Sequence, residues 1–197
     1  MGLDMSLYKR KFFGHSRSVG DLRIHDSRRI ENARPDKWIN HWECDELAKE
    51  ADEEGLESIE IEIAYWRKFN ALHHWFVENC AEGVDECQEI YVPFEKMKEL
   101  WDTLFKVGES IELVDGKRWQ STVLKADGSL QGEYVDGKVA KDSKLAEKLL
   151  PTCMGPFFGS LDYDEFYYNQ VWETVDVLNE HLGDGDDDWE FYYEANW

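Results

Sequence analysis

The sequence predicts a single α+β domain over residues 1–197. Its small mixed sheet includes both terminal strands and packs on three to four helices around a central buried helix, with an inserted β-hairpin. Three observations lead there. Apolar and polar residues alternate at both ends of the chain; three internal stretches place apolar residues at steps of three and four; and residues 111–140 are cut into short runs by Asp-Gly pairs. A length of 197 residues suits one mixed domain and is tight for two. Nine Trp, nine Tyr and ten Phe are enough for a sizeable core, which excludes wholesale disorder despite the charge.

Taken in order, Leu3, Met5 and Leu7 alternate with Asp4 and Ser6, the pattern of a half-buried strand. Gly14 to Lys37 is basic and aperiodic, and reads as a long loop or a short helix around Ile24 to Ile30. Cys44 to Glu62 is acidic, with Lys49 its only cation, and is expected to begin with a short helix before Gly55. From Ile59 to Glu82, Ile59, Ile63, Trp66, Phe69, His73, Phe76 and Cys80 fall on one helical face, and Ile61, Tyr65, Leu72 and Trp75 on the other. A helix apolar nearly all round belongs in the middle of a fold, so this one is placed at the centre. Gly83 ends it.

Ile90 to Val92 reads as a short strand. Pro93 suits the first position of a helix over Phe94 to Val107, with Met97, Leu100, Trp101 and Leu104 inward. Asp115-Gly116, Asp127-Gly128 and Asp136-Gly137 mark a protruding hairpin over 111–140. A short helix from Ser143 to Leu150 stops at Pro151. Asp162 with Glu165 resembles a capping pair for a last helix over Tyr163 to Leu182. Its inner stripe is Tyr167, Val171, Val175, Leu178 and Leu182; its outer stripe is Glu165, Asn169, Glu173, Asp176 and Glu180. After Gly183, Trp189 to Glu194 alternates as a strand, expected to pair near the N-terminal one.

The formal net charge is −21, which disfavours DNA, RNA and anionic lipid as direct partners. The charge is uneven. Residues 1–42 hold nine basic and five acidic side chains, whereas the 36 residues from Asp162 onward hold 12 acids and no Lys or Arg. Met1 to Phe13 lacks the basic-then-apolar run of a secretory signal, and nowhere do 18 apolar residues run together, so no membrane partner is expected. Cys44, Cys80, Cys87 and Cys153 are too sparse for a disulfide scaffold, which points to a cytoplasmic protein with reduced thiols.

Catalytic and metal patterns come out empty. Cys80 and Cys87 are separated by six residues, outside structural zinc spacing, and with His73 and His74 they read as core residues. Asp184 to Glu190 alternates carboxylates as a calcium loop does, but Trp189 stands where the loop needs Gly and Ala195 where it needs a bidentate Glu. No nucleophile elbow, P-loop or dinucleotide fingerprint is present. No metal, cofactor or catalytic residue is expected. Glu165, Glu173, Asp176 and Glu180 on the last helix, with Asp184, Asp186, Asp187 and Asp188 after it, form a face whose charge spacing approaches that of a nucleic-acid backbone.

Met1-Gly2-Leu3-Asp4-Met5, Tyr65-Trp66-Arg67-Lys68-Phe69-Asn70 with His73, Trp75 to Asn79, Leu149 to Thr152, Phe157 to Ser160 and Tyr163-Asp164-Glu165 carry a resemblance. In these words the chain resembles a family of small proteins encoded by tailed bacteriophages and prophages. Ser6 and the basic loop after Phe13 depart from the pattern. The resemblance implies a phage gene product acting in the host cytoplasm and brings no activity with it.

The leading expectation is therefore non-enzymatic: an interaction protein that inhibits a host component, such as a nucleic-acid-binding defence system, through the acidic face. Its partner would be a host or phage protein with a basic surface. The competing expectation is a small enzyme or ligand-binding protein with an aromatic pocket around Trp66, Arg67, Asn70, His73 and Tyr163.

Overall fold

The computed structural model describes the chain except residues 1, 15–16, 20–21, 25–26, 32–38, 126, 156–157 and 184–187. Its elements run β1 (Asp4–Phe12), β2 (Arg17–Val19), β3 (Leu22–Ile24), β4 (Ser27–Ile30), α1 (His41–Glu53), β5 (Ser58–Arg67), α2 (Asn70–Cys80) and β6 (Ile90–Val92), followed by α3 (Phe94–Ser110), β7 (Leu113–Leu124), β8 (Leu130–Ala140), α4 (Lys144–Leu149), α5 (Glu165–His181) and β9 (Glu190–Asn196). This is an α+β fold around one five-stranded sheet of order β4-β5-β1-β9-β6. The terminal strands lie side by side, β1 pairing antiparallel with both β5 and β9. The parallel pairing of β4 with β5 makes the sheet mixed.

One sheet face carries the core. Leu3, Met5, Leu7, Ile59, Ile61, Ile63, Phe191, Tyr193 and Ala195 pack with Leu72 and Phe76 of α2, Met97, Leu100 and Leu104 of α3, and Val171, Val175 and Leu178 of α5. The other face is polar and ion-paired, with Tyr8, Glu60 and Glu62 buried within it. There Arg10 binds Glu60 and, at 2.6 Å, Glu89; Arg29 binds Glu60 and, at 2.7 Å, Glu194. The two guanidinium groups also lie over the Tyr192 and Tyr8 rings, at 3.8 and 4.3 Å.

Three expectations are corrected. The central helix over Ile59 to Glu82 is instead a strand and a helix, β5 and α2, joined at Lys68 with φ +62°. The reason lies in arithmetic: a spacing of four, as between Ile59 and Ile63, fits both the helical period and twice the strand period. The alternating Ser58-Ile59-Glu60-Ile61-Glu62-Ile63 run then takes the strand, since β-branched residues favour it and β1 stands ready to pair. The stretch from Ile24 to Ile30 forms no helix in its described residues; Ser27–Ile30 is an edge strand on β5. The α5 cap is Asp164, not Asp162: its carboxylate accepts the N–H groups of Phe166 and Tyr167, at 2.9 and 3.1 Å.

The hairpin is confirmed as β7–β8, a two-stranded sheet of its own. None of its described residues between 112 and 140 is buried. It is tied down at its base, where the Ala140 N–H donates to the Tyr163 carbonyl at 2.8 Å and Arg118 meets Glu165 at 2.9 Å.

Candidate functional site

The acidic face is built on α5. With Tyr167, Val171, Thr174, Val175, Leu178 and His181 buried, helical phase leaves Asn169, Glu173, Asp176 and Glu180 exposed. Glu173, Asp176 and Glu180 line a groove of about 350 Å³ with Val177 and His181 of the same helix and with Ile39 and Asn40 before α1. Asn40 is held rigidly. Its side chain accepts the Glu43 N–H at 2.9 Å, and Glu43 returns a carboxylate to the Asn40 N–H at 3.0 Å.

Electrostatically, the groove is one-sided. Among the described residues no lysine or arginine pairs with Glu173, Asp176 or Glu180; the one side-chain bond is Gln170 to Glu173, at 3.0 Å. Partial burial raises the Glu173 carboxyl above its usual range and the nearby Asp176 charge adds to this, while the Gln170 bond opposes it. At the back, His181 is 2% exposed, and neither ring nitrogen makes a hydrogen bond of ordinary geometry to a described residue. Burial lowers its pKa to about 3; Lys9 and His41 push the same way and the Ile39 backbone opposes them. The imidazole is neutral at physiological pH.

The remaining residues expected on this face divide. Glu165 already holds Arg118, and with Asp115 and Asp136 it lines a separate groove at the hairpin base. Asp188 meets Lys11 at 3.6 Å, a long pair whose carboxylate is exposed and which is therefore weak. Asp184, Asp186 and Asp187 lie outside the described residues.

The alternative pocket residues are brought together only in part. Trp66 and Arg67 are consecutive on β5 and point to opposite sides: Trp66 is buried, whereas Arg67 is exposed and reaches Asp4 at 3.5 Å. Asn70, His73 and Tyr163 all converge on the segment 152–160. The Asn70 amide donates to the Phe158 and Ser160 carbonyls at 3.0 and 2.8 Å and accepts the Cys153 N–H at 3.0 Å. Tyr163 accepts the Thr152 N–H at 3.2 Å, and the His73 ring packs edge-on against Phe158. These bonds make Asn70 a latch for the chain's own loop.

His73 also sits in a hydrogen-bonded chain, buried at His73 and Tyr193 and opening to the surface at Asp85 and Trp197, that sequence reasoning missed. Its Nδ1 lies 2.8 Å from the Tyr193 hydroxyl and its Nε2 3.1 Å from Asp85, which takes the Trp197 indole N–H at 3.2 Å. Burial pushes the His73 pKa down and the Tyr193 phenol well above its ordinary value. Cys153 beside it is held up at about 11 by burial and the Asp85 charge, so it is a poor nucleophile. No signal in the sequence links His73 to residues 12 and 120 positions away. Asn40 and Glu43, by contrast, spell a capping box that was open to reading.

No helix among the described residues is long and apolar enough to cross a membrane. No family model, no curated protein and no solved structure matches the chain.

Proposed function

We propose that the chain is a phage-encoded acidic interaction protein that binds and inhibits a host component in the host cytoplasm. The favoured target is a nucleic-acid-binding defence system, engaged through the acidic face of α5. The observation that carries this reading is the stripe of Glu173, Asp176 and Glu180, exposed along one helix and without a lysine or arginine partner among the described residues. Successive carboxylates there rise about 4.5 to 6 Å along the axis, against about 3.4 Å per phosphate on one nucleic-acid strand. Such a surface steers a basic partner electrostatically and occupies its groove. The word-level resemblance to tailed-phage proteins supplies the host setting. Glu165 and Asp188, each already beside a cation of this chain, contribute less than the middle of the helix.

The test is affinity capture from expressing bacterial cells with the wild type and with the triple variant Glu173→Lys/Asp176→Lys/Glu180→Lys. The expected result is capture of a basic nucleic-acid-binding protein that added duplex DNA competes off and that the triple variant fails to hold. Capture unchanged by the substitutions would overturn the proposal.

A second reading, a small enzyme or ligand-binding protein, rests on the Asp85–His73–Tyr193 chain, since buried groups with shifted pKa values, here His73 and Tyr193, often serve chemistry. It requires that His73→Ala remove an activity or a bound small molecule from a protein that still folds. The bonding of Asn70 and Tyr163 to the protein's own loop favours a structural role for that cluster instead.

A further inference from the structure

We propose that the groove between the start of α1 and the flank of α5 receives an arginine side chain of a partner protein. This rests on the acidic-face reading above and names the chemistry that the face selects. The rim is formed by Glu173, Asp176 and Glu180, none of which has a lysine or arginine partner among the described residues. Ile39 and Val177 supply apolar wall, suited to the aliphatic stem of a long cationic side chain. An acidic rim over apolar wall already favours an amphipathic cation.

His181 decides which cation. It lines the groove while 2% exposed, and neither ring nitrogen makes a hydrogen bond of ordinary geometry to a described residue. A buried polar group left in that condition is destabilising, and an incoming N–H donor to its acceptor nitrogen offsets that cost. The charged and polar groups acting on the ring are Lys9 of β1, His41 of α1 and the Ile39 backbone, and together with burial they keep it neutral. A neutral imidazole has one acceptor nitrogen. The ligand must therefore donate in several directions at once, to carboxylates at the rim and to a nitrogen at the base. A guanidinium does so with five N–H groups in a rigid planar fork; an ammonium is a compact point charge that prefers water. A metal ion fits less well, because no three His, Cys, Asp or Glu side chains among the described residues are arranged to hold one. The groove volume, about 350 Å³, accommodates a side chain with part of its backbone.

The test uses the full chain with two probes of equal charge, a hexa-arginine and a hexalysine peptide, titrated at one ionic strength by calorimetry. The wild type is expected to bind hexa-arginine about tenfold more tightly. Asp176→Asn/Glu180→Gln weakens both peptides. His181→Gln, which leaves the rim charge unaltered, removes the arginine preference while retaining hexalysine binding. The wild type alone provides a check independent of any variant's folding: the His181 ring nitrogen resonances shift with hexa-arginine and stay in place with hexalysine. Equal affinity for the two peptides, or unmoved His181 resonances, would overturn the arginine site. If charge reversal on the α5 stripe still abolishes capture of the partner protein, the acidic-face reading stands without it; if neither peptide binds and capture is unaffected, both fall.

Discussion

Two regions of this molecule are rich in carboxylates and use them in opposite ways. On the polar face of the sheet, Glu60 is shared by Arg10 and Arg29, and Glu89 and Glu194 extend the network on either side. On the outer face of α5, Glu173, Asp176 and Glu180 lie as close in sequence as acids on one helix face can, with no ion-paired lysine or arginine among the described residues. The first arrangement contributes stability. The second costs a little stability through like-charge repulsion and leaves its field uncancelled by any described cation. The lesson is that net charge says little about a partner until internal ion pairs are subtracted.

The comparison is most sharply tested at Glu60, whose side chain is only 11% exposed. Glu60→Gln is expected to lower unfolding stability by about 2–3 kcal/mol, since two guanidinium groups lose a charged acceptor in a half-buried setting. A loss below about 0.5 kcal/mol in urea unfolding would place this network among the ineffective surface pairs and remove the contrast.

Next in size is a pH effect from the back of α5. The folded pKa of His181, about 3, lies below its ordinary 6.5, so the unfolded chain takes up the proton first. The stability that the neutral ring supplies is complete above pH 6.5 and declines as pH falls from there toward 3, by about 1.4 kcal/mol per unit. His73 shifts in the same direction, so the informative quantity is the difference between the wild type and His181→Gln. That difference should be flat above neutrality and slope below it in urea titrations from pH 7.5 to 4.5. A flat difference throughout would mean that His181 reaches a partner or water in the folded protein.

Asp164 shows a carboxylate of the same helix put to internal use. Asp164→Ala removes the acceptor of two N–H groups and should cost about 1 kcal/mol, measurable as a lower urea midpoint at constant slope. The smallest effect carries the opposite sign. Asp176→Asn and Glu180→Gln each relieve repulsion on α5 and should raise stability by about 0.2–0.5 kcal/mol at low salt, a gain that vanishes in 1 M NaCl. A loss of stability in either variant would reveal an internal partner and weaken the case for an external one.

Much of this contrast was readable locally, and part was not. The alternation of β1 and β9, the stripes of α3 and α5 and the Asp-Gly pairs of the hairpin each depend on neighbours within a few residues, so pattern alone located them. The phase of α5 is set the same way, which is why the sequence alone places Glu173, Asp176 and Glu180 on its outer face. The α5 cap slipped from Asp162 to Asp164 because both acids precede the apolar run at workable spacing. The groove beside the acids stayed invisible, since Ile39 and Asn40 reach it from more than 130 positions away.

By itself, then, the sequence determined which elements have an apolar side and which carry the acids, because periodicity is a property of adjacent residues. Only the tertiary structure decided that residues 58–67 are a strand, since a spacing of four satisfies both periods until β1 offers its hydrogen bonds. It also decided which acids are spoken for. Glu194 and Glu180 look alike as letters. Arg29 reaches Glu194 across 165 residues of chain and reaches Glu60 on the way, whereas no described cation is folded against Glu180. Charge pairing depends on distance in space, which periodicity does not encode.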